Sequence, residues 1–335
     1  MARRPRSTPW SGSLKRLLTT LTRASVRAVA RSTKPARKKA AAPRKAARAA
    51  PRSSGQWSAA MATTAFGTLR YKLFKPPGAR RTDRLPLLLM LHGCEQDADA
   101  LAASSKMNQL AAQKKFYVLY PQQERHANPH GCWNWFDTRS GRAQREADAI
   151  AGTLAQVCRL HGVDDARIAL AGLSAGAGMA ALVAVRHPGR FRALVMHSGI
   201  SAGVATSALS AMAAMRGRRI AAKPLPATTP LPALMVIHGD RDRVVAPGNA
   251  VTAAEQWAAQ MGARAMPARL VQRGMRYPVR ITDYKVSART AVTLRQVIGL
   301  GHAWSGGSRA WPHGDPQGPS ATRLVWDFAS KQFDH

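Results

Sequence analysis

A chain of 335 residues with 45% apolar content can bury a full core, which excludes disorder throughout and admits one large α/β domain or two ordinary ones. Lys and Arg number 51 against 17 Asp and Glu, and the formal charge of +34 exceeds what solubility asks of such a chain and points to an anionic partner. Three cysteines argue against a disulfide-dense secreted scaffold, no apolar run is long enough for a transmembrane segment, and no signal-peptide core follows the N-terminal charges.

The positive charge is concentrated at the start, where 21 Lys and Arg precede the first acidic residue, Asp83. Residues 1–60 read as a basic low-complexity arm. Within it, Leu14, Leu17, Leu18 and Leu21 fall at helical spacing, with Lys15, Arg16, Arg23 and Arg27 largely off that stripe, which predicts a basic amphipathic helix over 13–31. The Ala/Pro/Lys/Arg tract over 31–55 has no large apolar residue to bury and is expected to be disordered when free. An arm of this kind suits the phosphates of DNA, bound without reading sequence, or an anionic granule surface.

From about residue 65 short apolar runs alternate with longer helical patterns, which predicts an α/β domain over 65–335 with a mainly parallel central sheet flanked by helices. Strands are expected at 67–74, 85–91, 116–120, 167–171, 192–197, 232–238 and 293–300. Helices are expected near 98–114, 144–161, 175–187, 249–262 and 320–333. Pro188 ends the third of these, because proline disfavours helical geometry in the residue before it. The Ala/Ser/Thr/Pro-rich stretch 203–230 reads as a lid-like insertion.

The chemistry-bearing residues follow the expected strands. "LHGCEQ" leaves the strand at 85–91 and offers the backbone N–H of Cys94 to a developing oxyanion. "GCWNWF" concentrates Trp133 and Trp135 in a loop, where they could wall an acyl pocket, although at least one is expected in the core. "GLSAGAGM" matches G-x-S-x-G, the tight strand-to-helix turn that lifts a serine hydroxyl above a sheet, here Ser174, with the Ala175 N–H as the first oxyanion donor. Asp240 and Asp242, the latter farther from the strand end, compete for the acid after the strand at 232–238. His302 follows the last strand as the general base, and Trp304 is the aromatic expected nearest substrate. Cys94 and Cys132 either bridge or remain separate thiols, while Cys158 reads as a small buried hydrophobe. His126 and His130 lie four apart, but "ANP" between them argues against a helix, so no metal site is expected, nor any cofactor.

Together "LHGCEQ", "CWNWF", "VDDARIALAGLSAGAGM", "HGDRDRVV" and "GLGHAWSGG" resemble the polyhydroxybutyrate depolymerase family of esterases over roughly residues 65–333. The resemblance implies an α/β-hydrolase fold, hydrolysis of carboxylic esters such as poly(3-hydroxybutyrate) or its oligomers, and a triad of Ser174, Asp242 and His302 with Cys94 in the oxyanion loop. Related esterases that remove feruloyl or acetyl groups from plant polysaccharides share this plan. Without a visible export signal or polymer-binding module, the chain looks more like the intracellular depolymerases, which implies a cytoplasmic protein at a polyester granule. A non-catalytic DNA- or granule-binding protein on the same scaffold is the reading from another class.

Overall fold

The structure is a computed structural model that describes residues 55–218, 225 and 230–334. The basic arm through residue 54, with the helix expected over 13–31, and part of the 203–230 insertion lie outside the described residues. In chain order the strands are β1 (Gln56–Thr64), β2 (Gly67–Lys75), β3 (Leu85–Leu91), β4 (Tyr117–Pro121), β5 (Val163–Leu173), β6 (Ala193–His197), β7 (Ala233–Gly239), β8 (Arg264–Ala265), β9 (Arg269–Val271), β10 (Val279–Val286), β11 (Arg289–Val297), β12 (Trp304–Ser305) and β13 (Gly314–Asp315). The helices are α1 (Ala98–Ser105), α2 (Met107–Lys114), α3 (Arg142–Leu160), α4 (Ala175–Arg186), α5 (Ala208–Met215), α6 (Gly248–Gln260) and α7 (Ala321–Lys331).

Runs such as "LPLLLML" in β3 and "ALMVIHG" in β7 are apolar at nearly every position, which suits strands covered on both faces. They form the centre of an 11-stranded sheet in the order β1-β2-β4-β3-β5-β6-β7-β11-β10-β8, with β9 beside β10. Pairing is parallel from β4 through β3, β5, β6 and β7 to β11, and antiparallel at both margins. Alternate strand residues enter two cores. Leu87, Leu89, Leu170 and Leu194 meet α3, α4 and α6 on one face, while Leu88, Met90, Val195 and Met235 meet α1, α2 and α7 on the other. On that second face Phe116 stacks on Trp326 of α7 with ring centroids 3.7 Å apart, fastening the last helix to the start of β4. Among the described residues no helix is long and apolar enough to cross a membrane.

The structure departs from expectation in four places. The sheet begins at Gln56, inside the stretch assigned to the arm, because β1 pairs along its length with β2; its Ser, Ala and Thr side chains carry almost no alternation to announce it. The helical pattern over 98–114 is two helices, broken at Lys106, whose φ of 58° is left-handed. The insertion carries α5, which starts at a Ser207 cap accepting the Ser210 N–H. The last expected strand starts earlier, at Arg289, and has an antiparallel partner, β10, which the sequence reading lacked and which in turn pairs with β8 and β9.

The turn from β5 into α4 fixes the centre of the molecule. A Cβ built on Gly172 would stand 2.3 Å from the Gly176 carbonyl oxygen, and one on Gly176 would stand 2.3 Å from the Leu91 carbonyl oxygen of β3. Backbone occupies both spaces, so only glycine lets α4 lie this close to the sheet. Gly176→Ala is therefore expected to lower stability by about 3 kcal/mol, at the upper end for overpacking; a denaturant midpoint equal to that of the wild type would contradict this packing.

Candidate active site

Ser174 stands between the end of β5 and the first turn of α4 with φ 56° and ψ −120°, a conformation that non-glycine residues adopt at a cost. Neighbouring strands hold it there: its N–H donates to the His197 carbonyl oxygen at 2.9 Å, and its own carbonyl oxygen accepts the Ala177 N–H at 3.0 Å. The side chain turns to His302, with Oγ 3.0 Å from Nε2. His302 Nδ1 lies 2.7 Å from Asp242 Oδ2. Three side chains from the exits of β5, β7 and β11 thus form one hydrogen-bonded line, with Nδ1–H donating to the carboxylate and Nε2 free to accept the serine proton.

Asp240 takes no part in this line. Its Oδ1 accepts the Gly299 N–H at 2.7 Å, and its own N–H donates to the Val297 carbonyl oxygen at 3.1 Å. It ties the exit of β7 to the exit of β11 and so brings Asp242 and His302 within reach of each other.

The Asp242 side chain is fully enclosed. Oδ1 accepts the N–H groups of Val244 and Val245, each at 2.9 Å, and Oδ2 accepts His238 Nε2 at 3.2 Å in addition to His302. Burial by itself favours the neutral acid, but the hydrogen bonds from His238 and His302, the His302 charge and the Val245 N–H outweigh it and hold the carboxyl well below the usual carboxylate range. His238 has no assigned role in the sequence reading, and its part is visible only once β7 turns back on itself. Its Nε2 also lies 2.9 Å from the Val245 carbonyl oxygen, so two acceptors require a proton on that nitrogen, and the Nδ1 atom is buried without a partner among the described residues.

A second buried histidine forms the floor. His197 Nε2 accepts the Ser305 N–H at 3.1 Å, which leaves Nδ1–H facing Ser198 Oγ at 3.1 Å, and its ring stacks on Trp304 with centroids 5.1 Å apart. Burial, followed by the charges of His238 and His302, pushes its pKa down to about 3, so this imidazole stays neutral.

The loop after β3 lies against the serine. A Cβ on Gly93 would be 3.4 Å from Ser174 Cβ. Within the loop the Gly93 N–H donates to Gln96 Oε1 at 3.1 Å and the Glu95 N–H to the His130 carbonyl oxygen at 2.8 Å, so Cys94 lies between two anchored residues. The Cys94 and Cys132 sulfurs are bonded, with Cα atoms 4.3 Å apart. Ala175 is the first residue of α4, where an N–H has no intrahelical acceptor. Gln96, which the sequence reading also left without a role, is buried and its Nε2 has no partner among the described residues.

The three tryptophans are corrected to core positions. Trp304 is fully buried between the His197 ring and Thr322, whose Oγ1 accepts its indole N–H at 3.0 Å, so it faces no solvent from which substrate could arrive. Trp133 is fully buried beside His92, and Trp135 lies under Gly178 of α4, where a Cβ would touch its ring at 3.0 Å. These large aromatics pack in the two cores on either side of the sheet. Among the described residues no group of three or more His, Cys, Asp or Glu is arranged to hold a metal ion.

Two measurements probe this framework. The disulfide closes a loop with a sequence separation of 38, so Cys132→Ser is expected to cost about 4 kcal/mol of stability on loop-closure grounds, read as an equal drop on adding reductant to the wild type alone. His197 has its folded pKa below its unfolded value, so the unfolded state binds more protons between the two, and the stability present above pH 6.5 is lost as pH falls towards 3. Between pH 7 and pH 5 this histidine alone is expected to remove about 2 kcal/mol. Comparing urea unfolding of wild type and His197→Asn at both values checks it, since a slope unchanged in the variant would exclude His197 as its source.

The family model for esterase PHB depolymerase matches residues 69–271, more than half of the chain. A poly(3-hydroxyalkanoate) depolymerase C of Paucimonas lemoignei is 32% identical over 221 residues, which are 61% of this chain and 52% of that protein. A probable acetylxylan esterase A of Neosartorya fischeri is 27% identical over 197 residues, 52% of each chain. The chain spans about half the length of these curated relatives. Among solved structures, an acetyl xylan esterase from Aspergillus awamori has a TM-score of 0.60 at 20% identity, covering 73% of this chain and 94% of that one, and it shares the fold. The mainly parallel sheet and its flanking helices are the α/β-hydrolase fold. On the extent of the family match, the chain belongs to the esterase PHB depolymerase family.

Proposed function

We propose that the protein is a serine esterase that works through an acyl-enzyme. The observation that carries this reading is the unbroken line from Ser174 Oγ through His302 to the enclosed Asp242 carboxylate. Ser174 Oγ attacks the ester carbonyl carbon while His302 Nε2 takes its proton, and the carbonyl electron pair moves onto oxygen. The N–H groups of Ala175 and Cys94 receive that oxyanion. As the tetrahedral species collapses, the bond to the alcohol oxygen breaks and His302 returns the proton to it. Water then attacks the acyl-serine by the same route, releasing the acid and restoring the hydroxyl. Asp242 keeps the imidazole in its Nδ1–H form and stabilises the cation, and His238 supplies the second side-chain donor to that carboxylate.

Short-chain 3-hydroxyalkanoate esters, as poly(3-hydroxybutyrate) or its oligomers, are the substrates this reading favours, and family membership and the depolymerase relative support them. A second reading, removal of acetyl groups from xylan, is favoured by the acetylxylan esterase relatives and the Aspergillus awamori neighbour. The Cys94–Cys132 bond weighs on location: disulfides persist in oxidising compartments and are rare in the cytosol, which favours action outside the cytoplasm over the granule location expected from sequence.

Ser174→Ala is expected to lower kcat on an aryl ester by about 10⁴-fold or more while leaving the denaturant midpoint near that of the wild type; hydrolysis at the full rate would remove Ser174 as nucleophile. Release of 3-hydroxybutyrate from amorphous polymer, set against release of acetate from acetylated xylan, separates the two substrate readings. The polymer is expected to react faster, and acetate release alone would select the second.

A further inference from the structure

The antiparallel margin beyond β11 carries a charge imbalance that ester hydrolysis does not use. Residues 264–295 hold eight Lys and Arg against one acid, Asp283. Arg269 of β9 lies opposite Ile281 of β10, which lies opposite Arg295 of β11. Directly opposed residues share a face, so both arginines leave the same side of the sheet, two strand spacings or about 10 Å apart. Asp283, two residues along β10 from Ile281, projects from that face as well and lies opposite Thr293.

Asp283 is engaged by Arg269, with Nη1 to Oδ2 at 2.7 Å. Arg295 is different. Its Nε is buried and finds no partner among the described residues, and the Thr293 Oγ1, on the same face, is likewise buried and unpaired. A guanidinium nitrogen removed from water without a hydrogen bond is costly, and a neighbouring cation adds to the cost. Burial, with the charges of Arg269 and Arg273, pulls the Arg295 pKa down against the opposing pull of Asp283. Arg276 is tied to the carbonyl oxygens of Pro316 and Gly318 at 2.9 and 2.7 Å, which holds the β9–β10 turn and with it Arg273. The charges of Arg269 and Arg273 both act on Arg295, so three guanidiniums stand within electrostatic range of one carboxylate, an excess of two positive charges beside two unpaired polar atoms.

We propose that this face, formed by Arg269, Arg273, Arg295 and Thr293, is an oxyanion-binding site separate from the Ser174 site, and that it takes a doubly charged phosphate or sulfate group. The planar guanidinium fork matches two oxygens of such a group, and two arginines on either side of Ile281 can grip it from opposite directions. Met275, 99% exposed in the β9–β10 turn, would lie beside acyl chains if the phosphate belonged to a lipid headgroup.

The test uses the full chain and inorganic phosphate, with sodium chloride at matched ionic strength as control. Wild type is expected to gain thermal stability with phosphate beyond the chloride control, and Arg295→Met to lose at least tenfold in apparent affinity. Arg295→Met should also start from a higher melting temperature in chloride, because it removes a half-buried charge whose Nε has no partner among the described residues. Arg273→Gln, at an exposed position, keeps the fold and should weaken the response as well. In a second arm, co-sedimentation with phosphatidic acid and phosphatidylcholine vesicles reads the lipid source as a difference between wild type and the two variants, which cancels the contribution of residues 1–54. A phosphate response lost in the variants supports the site with a free anion, and a vesicle difference supports it with a lipid headgroup. Identical behaviour of wild type and both variants in both arms overturns it.

Discussion

The carboxylate of Asp242 has no contact with water, and an ion so placed is tolerable only where its lone pairs have donors. Four groups supply them, and each comes from a part of the fold with its own reason to be there. Two backbone N–H groups require the chain to turn back directly after Asp242; His238 requires β7 to end where it does; His302 requires β11 to run parallel to β7 and leave the sheet beside it. The same contacts that make the charge affordable also aim His302 at Ser174. Removing one of them would leave the others facing an uncompensated ion, so the acid and its surroundings stand or fall as a unit.

A second constraint acts from the other side of the serine. α4 approaches β5 and β3 until only glycine fits at 172 and 176, and that closeness gives Ser174 its left-handed backbone. The strain is held in place by strands already paired around it, and the loop after β3 is carried against the hydroxyl by the same packing. The disulfide then joins that loop to the one bearing Trp133 and Trp135, whose rings fill the volume beneath.

Much of this is written locally. Ser174 lies in a five-residue pattern whose glycines have one steric meaning, and the exits of the strands ending near 238 and 297 deliver Asp242 and His302 to one rim because parallel strands end on one side. What lies beyond local pattern went unread for identifiable reasons. β1 is mostly Ser, Ala and Thr beside Gln56, Trp57 and Met61, with Ala62 as its one buried residue, so no alternation marks it. β8 to β10 are interrupted by Pro267 and Pro278 and crowded with arginine, which reads as loop. Tryptophan is chemically suited both to a pocket wall and to a core, and only the neighbours of Trp304 decide between them. His238 and Gln96 act on near neighbours, Asp242 and the Gly93 N–H, but only the turn the chain takes after each strand brings those atoms together, and no sequence pattern announces that turn.

The distance along the chain between the two ends of the site has its own consequence. Ser174 and His302 are 128 residues apart, and the strand that leads to His302 can join the sheet only by pairing with β7. During synthesis the elbow, the loop after β3 and the first half of the sheet leave the ribosome well before the base exists. Domains acquire structure from the N-terminus as they emerge, and pairings this remote close late. Under the proposed mechanism the nascent protein carries an inert serine, whose chemistry would switch on only when the final third of the chain has docked.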